Sequence, residues 1–486
     1  MDPLAIISAL ADSGASEKLR MIAKALTTVG GGSNLGALTG GPAMRAENLD
    51  PVMAATVVQN QHFKFTNMLM STKRDSFSML DQVVTKTATG GFPGSAISSE
   101  TGKGNPERVG DYARVLTELG VFTTRRSVTL VTGLQAALQQ QSGIVDFSAS
   151  EEEDVNAALE ILLNVEHSLF YGNRAVVAES INGIFTQIDT SSPLNIIDMR
   201  GAPVVDHIKI VTLAGRLVTL GNWGSPDRIF CSQLAKADLD KSLAVGYRVN
   251  LDERIPGTEV GVPIKGIRFD SVAAQDGLIQ INASAFITED KTPIVVGYGN
   301  GAATLNAPAS ITAALPAADP NSLFIAGQNG NYFYAVEAWS AGQVSIPTVI
   351  ATAVALAVGN SAVLTITQSS GGAETFYKIY RGRKNGTNAN ADLRYIGMIA
   401  KAGGTTVFTD LNVLIPGCSE MAIITNRPEA VRWVQMLPLT KVPFAMTDFN
   451  YPWGAILLGA LRVAGPKKHG YIKNILPSGA SWLPFG

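Results

Sequence analysis

A sharp change of composition divides this chain and constrains its fold more than any other feature. Residues 302–425 are rich in Ala, Thr, Gly and Asn and show almost no helical spacing. Within 350–358 the larger side chains fall on one parity and the alanines on the other, which is the period of a β-strand. Shorter segments of strand character, bounded by Gly or Asn, follow at 363–367, 376–380, 394–399 and 405–408. The pattern predicts an inserted β-sandwich of about 100 residues.

The clearest helix of the chain is predicted over 151–171. Ser150 with Glu153 fits a capping box at its start, and apolar residues follow at helical spacing. Because the apolar stripe is wide, we expect the helix to be mostly buried. Three residues of this series are expected in the core: Leu159, Leu162 and Leu163.

Helices and strands are predicted on both sides of the insert, so the chain is expected to leave a host fold, build the sandwich and return. Before the insert, helices are predicted over 207–220, capped by Asp206, and over 233–243, capped by Ser232. Strands are predicted in the same region over 228–231, 264–269 and 278–281. After the insert, the prediction is a helix over 428–436 and strands within 445–464 and over 471–475.

Residues 81–119 contain few large apolar side chains and cannot bury a face of their own. They are glycine-rich and polar at first and then carry charges of both signs. This favours a long β-hairpin that protrudes onto another subunit, and an ordinary mobile loop is the alternative. Six residues are candidates for contact between subunits: Lys86, Lys103, Glu107, Arg108, Asp111 and Arg114.

Charge and cysteine content exclude several function classes. The chain has 38 basic and 40 acidic residues, which argues against a general nucleic-acid coat. The two cysteines, Cys231 and Cys418, are too few for a disulfide scaffold or a cysteine zinc cluster. The N-terminus lacks the basic start of a secretion signal, and no uninterrupted apolar segment has the length of a membrane span.

The sequence offers no convincing catalytic, cofactor or metal site. The glycine-rich run 297–301 lacks the dinucleotide-binding spacing, and Glu166 with His167 lacks a second histidine four residues on. We therefore expect no enzyme activity and no cofactor. The basic residues Lys467 and Lys468, with Lys473 nearby, have no acidic residue around them. They fit contact with nucleic-acid phosphates and equally fit a solvated turn.

The order of these elements, together with several short motifs, resembles a known family. The motifs are EHSLFYGN at 166–173, ESINGIF at 179–185, and LPLTKVPFA, GALRVAGPKK and YIKNI within 437–475. They are similar to major capsid proteins of tailed bacteriophages, which have the Hong-Kong-97-type capsid fold, and in particular to those of large staphylococcal myophages. Within the insert, FYKIYRG at 376–382 and RYIG at 394–397 resemble a fibronectin-type or immunoglobulin-like module.

The resemblance implies an α+β fold divided into the regions of a phage capsid subunit. These are an N-terminal arm (1–70), an extended loop (71–125), a peripheral domain (126–200) with its spine helix at 151–171, an axial domain (201–301), an inserted immunoglobulin-like sandwich (302–426) and a return to both domains (427–486). Some relatives carry a Lys–Asn cross-link. Lys86 and Lys103 lie in the corresponding loop, but no motif identifies a partner, so this chemistry is not expected.

The resemblance also implies self-assembly of hexamers and pentamers into the icosahedral head shell around phage DNA. Portal, scaffold and decoration or vertex proteins are then expected as partners, and the place is the virion, after assembly in the host cytoplasm. Lys467, Lys468 and Lys473 are the candidates for non-specific contact with packaged DNA. Three alternatives remain open: a nanocompartment shell protein, against which the insert argues, a tail tube or sheath subunit, and a polysaccharide-active enzyme. The enzyme would need paired carboxylates and a secretion signal.

Overall fold

The computed structural model describes ten ranges of the chain: 62–75, 78–86, 111–130, 149–204, 207–219, 222–246, 270–294, 305–340, 342–446 and 450–486. Helices and sheets both occur in it, so the α+β class is confirmed. The α-helices of these ranges are α1 (Lys64–Met68), α2 (Ala149–Tyr171), α3 (Ile184–Ser191), α4 (Ile208–Val218) and α5 (Gln233–Gly246).

The strands fall into three groups. Before the insert lie β1 (Ser71–Lys73), β2 (Ser78–Lys86), β3 (Asp111–Glu118), β4 (Gly120–Thr129), β5 (Ile196–Asp198), β6 (Arg228–Cys231), β7 (Ser271–Ala274) and β8 (Gly277–Ala283). In the insert lie β9 (Ser310–Ala313), β10 (Ala317–Ala318), β11 (Gly330–Tyr332), β12 (Tyr334–Ser340), β13 (Gln343–Val344), β14 (Thr348–Val349), β15 (Val354–Leu356), β16 (Asn360–Thr367), β17 (Phe376–Gly382), β18 (Leu393–Ala400) and β19 (Thr405–Asp410). After it lie β20 (Ser419–Ile424), β21 (Val431–Pro443), β22 (Asn450–Val463) and β23 (Gly470–Ile475).

The host fold contains two sheets. A six-stranded sheet has the order β5-β23-β20-β6-β8-β7, and a four-stranded sheet has the order β1-β21-β22-β4. The first helix residues after β6 are capped as predicted, because Ser232 Oγ accepts the Ala235 N–H at 3.1 Å. The predicted strands over 228–231, 278–281 and 471–475 are confirmed. The strand predicted over 264–269 and the cap Asp206 lie outside the described residues.

The predicted long helix is confirmed as α2, but its expected core residues are wrong. Leu159, Leu162 and Leu163 are only half-buried. The buried line instead runs at intervals of four residues, through Ala157, Ile161, Val165 and Leu169. This line faces the four-stranded sheet and shares a hydrophobic core with it. Sequence spacing marks the wide apolar stripe, whereas the position of the sheet decides which side of the stripe is covered.

The helix predicted over 428–436 is also wrong, since these residues enter the long strand β21. Its neighbours explain the difference: β1 pairs with it in parallel and β22 pairs with it antiparallel. The Trp433 ring lies over Gly459 of β22, where an added Cβ would come within 2.1 Å of a ring carbon. Pairing on both sides and the fit of Trp433 over a glycine therefore outweigh the local helical preference.

Within the described residues, the insert contains two larger sheets and the two-stranded sheet β11–β15, and all three contribute to one hydrophobic core. The first larger sheet is built from β9, β10, β16 and β19, and the second from β12, β13, β14, β17 and β18. The core joins Ile311 and Leu364 of the first sheet to Val336 and Ile379 of the second. The strands predicted over 363–367, 376–380, 394–399 and 405–408 are therefore confirmed. The immunoglobulin- or fibronectin-like topology stays a prediction.

The insert returns to the host before residue 426. Strand β20 lies inside the range assigned to the sandwich, yet it pairs with β6 and β23 in the six-stranded sheet. The last residues of the chain also join insert and host. The Lys384 N–H donates to the Pro484 carbonyl at 2.8 Å, and Arg383 and Arg394 lie over the Trp482 ring. These contacts hold the sandwich against the host rather than leaving it on two free hinges.

Candidate functional site

The predicted hairpin is present, and the structure places three of its six candidate residues. Strands β2 and β3 pair antiparallel as a two-stranded sheet. Lys86 lies opposite Asp111, and Gln82 lies opposite Arg114. Lys103, Glu107 and Arg108 lie outside the described residues. That any of the six contacts another subunit stays a prediction.

The base of the hairpin is fixed to the turn that follows α2. The Arg174 guanidinium pairs with Glu118, the last residue of β3, and donates to the Leu119 carbonyl at 3.2 Å. The Val121 N–H donates to the Glu179 carbonyl at 3.0 Å. These contacts hold the point where the hairpin leaves the host fold.

Glu166 anchors the segment that precedes the hairpin. Its carboxylate accepts the backbone N–H groups of Phe65 and Thr66, both at 2.8 Å, and the Thr66 hydroxyl. It thus satisfies the free donors at the start of α1. Burial raises the pKa of Glu166, and these hydrogen bonds oppose the rise. The sequence signal for this role is a carboxylate on the apolar stripe of a helix, and the Glu166–His167 motif does not predict that it caps another helix.

The basic residues near the end of the chain divide into two places. Lys467 and Lys468 lie in a short 3₁₀ turn, Pro466–Lys468, where Lys467 is exposed and Lys468 is half-buried. His469 is fully buried, and its Nδ1 accepts the Thr425 N–H at 3.2 Å. Burial and the nearby Lys468 charge lower the pKa of His469 to about 3, so its ring carries no charge at neutral pH. Lys473 lies on β23 and lines a different surface.

The Pro466–Lys468 turn lies beside two other segments of the chain. The Thr425 hydroxyl donates to the Lys468 carbonyl at 3.0 Å and accepts the Ser225 N–H at 3.2 Å. A Cβ added at Gly224 would come within 3.0 Å of the same Lys468 oxygen. This brings Trp223 and Arg427 to the turn, although each comes from a distant part of the sequence. The side chain of Trp223 is 62% exposed.

Lys473 belongs to a cavity of about 540 Å³ between the sandwich and the end of α2. Its wall includes a buried ion pair between Lys291 and Glu420, and the Tyr471 hydroxyl donates a hydrogen bond to the Glu420 carboxylate at 2.8 Å. On the sandwich side the Lys378 ammonium lies 3.5 Å from the centre of the Trp339 ring. Burial lowers the pKa of Lys378 to about 8, and the Glu337 charge opposes this shift. The cavity is therefore lined by a buried ion pair on the host side and by a cation–aromatic contact on the sandwich side.

Within the described residues, no three His, Cys, Asp or Glu side chains are placed to hold a metal ion. The two cysteines are buried thiols, and burial raises the pKa of each to about 12. Such thiols are poor nucleophiles because the reactive form is the thiolate. None of the described helices has the length and apolar character needed to span a membrane.

Comparison with known proteins bears out the predicted resemblance over part of the chain. No family model matches the sequence. The major capsid proteins of Staphylococcus phage K and Staphylococcus phage S25-3 are each 32% identical to it over 76 residues. The matched stretch is 16% of this chain and 16% of each relative, so the similarity spans a small part of their length.

Matches among solved structures include a phage capsid, a phage and an encapsulin complex, all with TM-scores below 0.5. The capsid of Myoviridae phage XM1 matches with a TM-score of 0.41 at 9% identity, over 89% of this chain and 99% of that one. Gordonia phage Cozz matches with a TM-score of 0.39 at 11% identity, over 92% of this chain and 96% of that one. The holo-SrpI encapsulin complex from Synechococcus elongatus PCC 7942 matches with a TM-score of 0.37 at 9% identity, over 87% and 92%.

Proposed function

We propose that this chain is a major capsid protein that self-assembles into the icosahedral head shell of a tailed double-stranded DNA bacteriophage. The observation that carries the proposal is the 32% identity over 76 residues with the major capsid proteins of staphylococcal phages. The short motifs that resemble such proteins flank the long helix and the last strands. The proposed role is structural and involves no catalysis.

The β2–β3 hairpin supports self-assembly. Within the described residues it forms a sheet of two strands with no third strand beside it. An isolated two-stranded sheet is marginally stable in water, so it gains stability when it packs on another surface. In a shell, the neighbouring copy offers that surface. Lys86, Asp111 and Arg114 would then set the register between copies, together with Lys103, Glu107 and Arg108.

The remaining assignments follow from the same proposal. Copies form hexamers and pentamers in the host cytoplasm and become part of the virion, with portal, scaffold and decoration or vertex proteins as partners. Residues 1–70 act as the arm, 71–125 as the extended loop, 126–200 as the peripheral domain and 201–301 as the axial domain. The insert, assigned to 302–426 from the sequence, is an immunoglobulin-like module on the outer surface that ends before β20, and 427–486 completes the host domains together with β20.

Electron microscopy of the purified, recombinant full chain tests the proposal. Closed icosahedral shells are the expected result. Open tubes would instead indicate a tail tube or sheath subunit, and monomers under all assembly conditions would overturn the proposal. A second measurement separates a phage head from a nanocompartment: mass spectrometry of shells isolated from infected cells should find portal protein and DNA rather than an enclosed enzyme.

A further inference from the structure

Three separate segments that lie next to one another carry basic side chains, and we call this group the basic edge. It consists of Arg216 at the end of α4, Arg427 after β20, Lys467 and Lys468 in the 3₁₀ turn, and the exposed Trp223. Hydrogen bonds hold these segments together: the Gly224 N–H donates to the Leu217 carbonyl at 2.8 Å, and the Thr425 hydroxyl accepts the Ser225 N–H and donates to the Lys468 carbonyl. Arg216, Arg427 and Lys467 are exposed, and Lys468 is half-buried.

The charges of the basic edge are not neutralised within the protein. Among the described residues, none of its four basic side chains takes part in an ion pair. Two acidic residues belong to the same segments. Asp227 accepts the Asn426 N–H at 2.7 Å, and Glu429 is exposed. Within these segments four cations stand against two carboxylates, on a chain whose net charge is −2.

Trp223 is held on this surface in a conformation that few residues adopt. Its φ is 52°, in the left-handed region, where a bulky side chain is disfavoured. Hydrogen bonds around the end of α4 maintain it: the Trp223 N–H donates to the Thr219 carbonyl at 3.3 Å, and the Asn222 amide donates to the Arg216 carbonyl at 2.9 Å. Trp223 is the most exposed of the five tryptophans. A strained backbone that presents a large exposed ring is a feature of functional surfaces.

We propose that the basic edge binds the phosphate backbone of double-stranded DNA, with Trp223 packing against the nucleic acid between the basic side chains. The proposal rests on the proposed function, in which the shell encloses DNA. Lysine and arginine bind phosphates without sequence preference, since every nucleotide carries the same phosphate, and each contact releases condensed counterions, which makes binding salt-dependent. His469 does not contribute charge, and Lys473 is excluded because it faces the cavity below the sandwich. The proposed DNA-binding surface therefore leaves out Lys473, one of the three lysines predicted from the sequence. It adds Arg216, Trp223 and Arg427, which are far from the other two lysines in sequence.

The test measures binding of the full-length soluble subunit to a short fluorescent DNA duplex by anisotropy, over a range of salt concentrations. For duplex DNA the slope of log K against log salt is about −0.9 per phosphate neutralised. The double variant Lys467→Gln/Lys468→Gln should therefore flatten the slope by up to about 1.8 and weaken binding at low salt. The matched control, Lys73→Gln/Lys241→Gln, makes the same charge change at two exposed lysines elsewhere and should leave the slope unchanged.

Tryptophan emission gives a second readout. DNA should quench part of the wild-type emission, and Trp223→Phe should remove most of that quenching. Equal slopes for the wild type and the edge variant would overturn the proposal, and so would equal losses in the edge and control variants. Loss of subunit association without loss of DNA binding would show that the basic edge contacts a second copy instead.

Shell assembly of each variant, followed by electron microscopy, separates this proposal from the proposed function. Normal shells from the edge variant, together with its flattened salt slope, support both. Normal shells from a wild-type subunit that binds no duplex overturn the DNA surface alone. Absence of wild-type shells overturns the proposed function, and the anisotropy result then still decides whether the basic edge binds DNA.

Discussion

The chain builds two long β-hairpins that differ in what lies beside them. The β21–β22 hairpin is flanked by β1 on one side and β4 on the other. It shares a hydrophobic core with α2, in which Trp433, Trp453 and Leu457 are buried. The β2–β3 hairpin pairs only with itself within the described residues. The β21–β22 hairpin is therefore supported by other elements of the same chain, whereas the stability of β2–β3 depends on what packs against it.

The difference teaches where each hairpin obtains its stability. Cross-strand pairs contribute only about 0.2–1 kcal/mol each, and ordering the backbone opposes them. Burial of large apolar side chains supplies the rest for β21–β22, at about 1.5–3 kcal/mol for each side chain. Under the proposed function, β2–β3 obtains the corresponding burial from a neighbouring copy. Stability and assembly should then respond to changes in different hairpins.

The largest expected effect is on assembly, from a deletion in the unsupported hairpin. Removing residues 89–105 should leave a soluble, folded subunit but abolish normal shells, because under the proposed function they belong to the loop that contacts a neighbouring copy. Thermal unfolding and electron microscopy measure the two effects separately. A control that replaces 89–105 with a Gly-Ser linker of equal length tests whether side chains are needed. Intact shells of normal size from the deletion would contradict the comparison.

The supported hairpin should respond in the opposite way, with a large loss of stability. Trp433→Ala removes a ring that is 9% exposed and lies over Gly459, so it should lower the free energy of unfolding by about 3–5 kcal/mol. Chemical denaturation of the soluble subunit measures the change. Trp223→Ala is the matched control, since that ring is 62% exposed, and it should change stability by less than about 0.5 kcal/mol. Similar losses from both substitutions would show that β21–β22 has no special dependence on burial.

The sequence predicts elements whose signal is local. The long helix carries its capping box and its spacing within its own residues, and the sandwich strands carry their alternation. By contrast, 428–436 forms a strand because β1 and β22, which are distant in sequence, pair with it on both sides. The expected core of α2 shifts from Leu162 to Ile161 for a similar reason, because the position of the sheet decides which side of the helix is covered.

The candidate site shows the same division. Lys467 and Lys468 are adjacent in sequence, so a basic run reveals them. Trp223, Arg216 and Arg427 join them only after the chain folds, and no local pattern connects the three segments. His469 belongs to the same run but is buried and uncharged at neutral pH, because burial and the nearby Lys468 charge lower its pKa. Sequence therefore predicts the presence of charge, and tertiary structure decides which charges share a surface.

A moderate loss of stability is expected when the strand beside β21 loses its anchor. Glu166→Ala leaves the N–H groups of Phe65 and Thr66 without their acceptor, at a cost of about 1–3 kcal/mol. Hydrogen exchange should show faster opening of β1, which follows α1 directly, while β22 and β4 keep their protection. Glu166→Gln retains one acceptor oxygen and should cost less. Unchanged exchange in β1 would show that β1 does not depend on this cap.

The same carboxyl gives a pH dependence of known sign. Burial raises the pKa of Glu166 in the folded state above its unfolded value of about 4.3. The folded state then binds the proton more tightly than the unfolded state does. The stabilisation that protonated Glu166 adds to the folded state is therefore fully present below about pH 4.3 and is lost as the pH rises through the folded-state pKa. Glu166→Gln removes this pH dependence. Chemical denaturation of the wild type and the variant between acid and neutral pH measures how far their free energies of unfolding differ. Parallel stability curves would contradict the assignment.

The smallest expected effect concerns an ion pair on the surface of the supported hairpin. Lys441 of β21 contacts both carboxylate oxygens of Asp154 of α2 at 2.7 Å, but the two side chains remain 47% and 39% exposed. Exposed pairs contribute about 0–1 kcal/mol because water screens the charges and both side chains lose freedom. A double-mutant cycle with Lys441→Met and Asp154→Asn should give a coupling energy in that range, and added salt should reduce it. Methionine keeps much of the apolar contact of Lys441 with the Trp453 ring, so the cycle isolates the charge. A coupling energy well above about 1 kcal/mol would mean that charge pairing, and not burial alone, distinguishes β21–β22 from β2–β3.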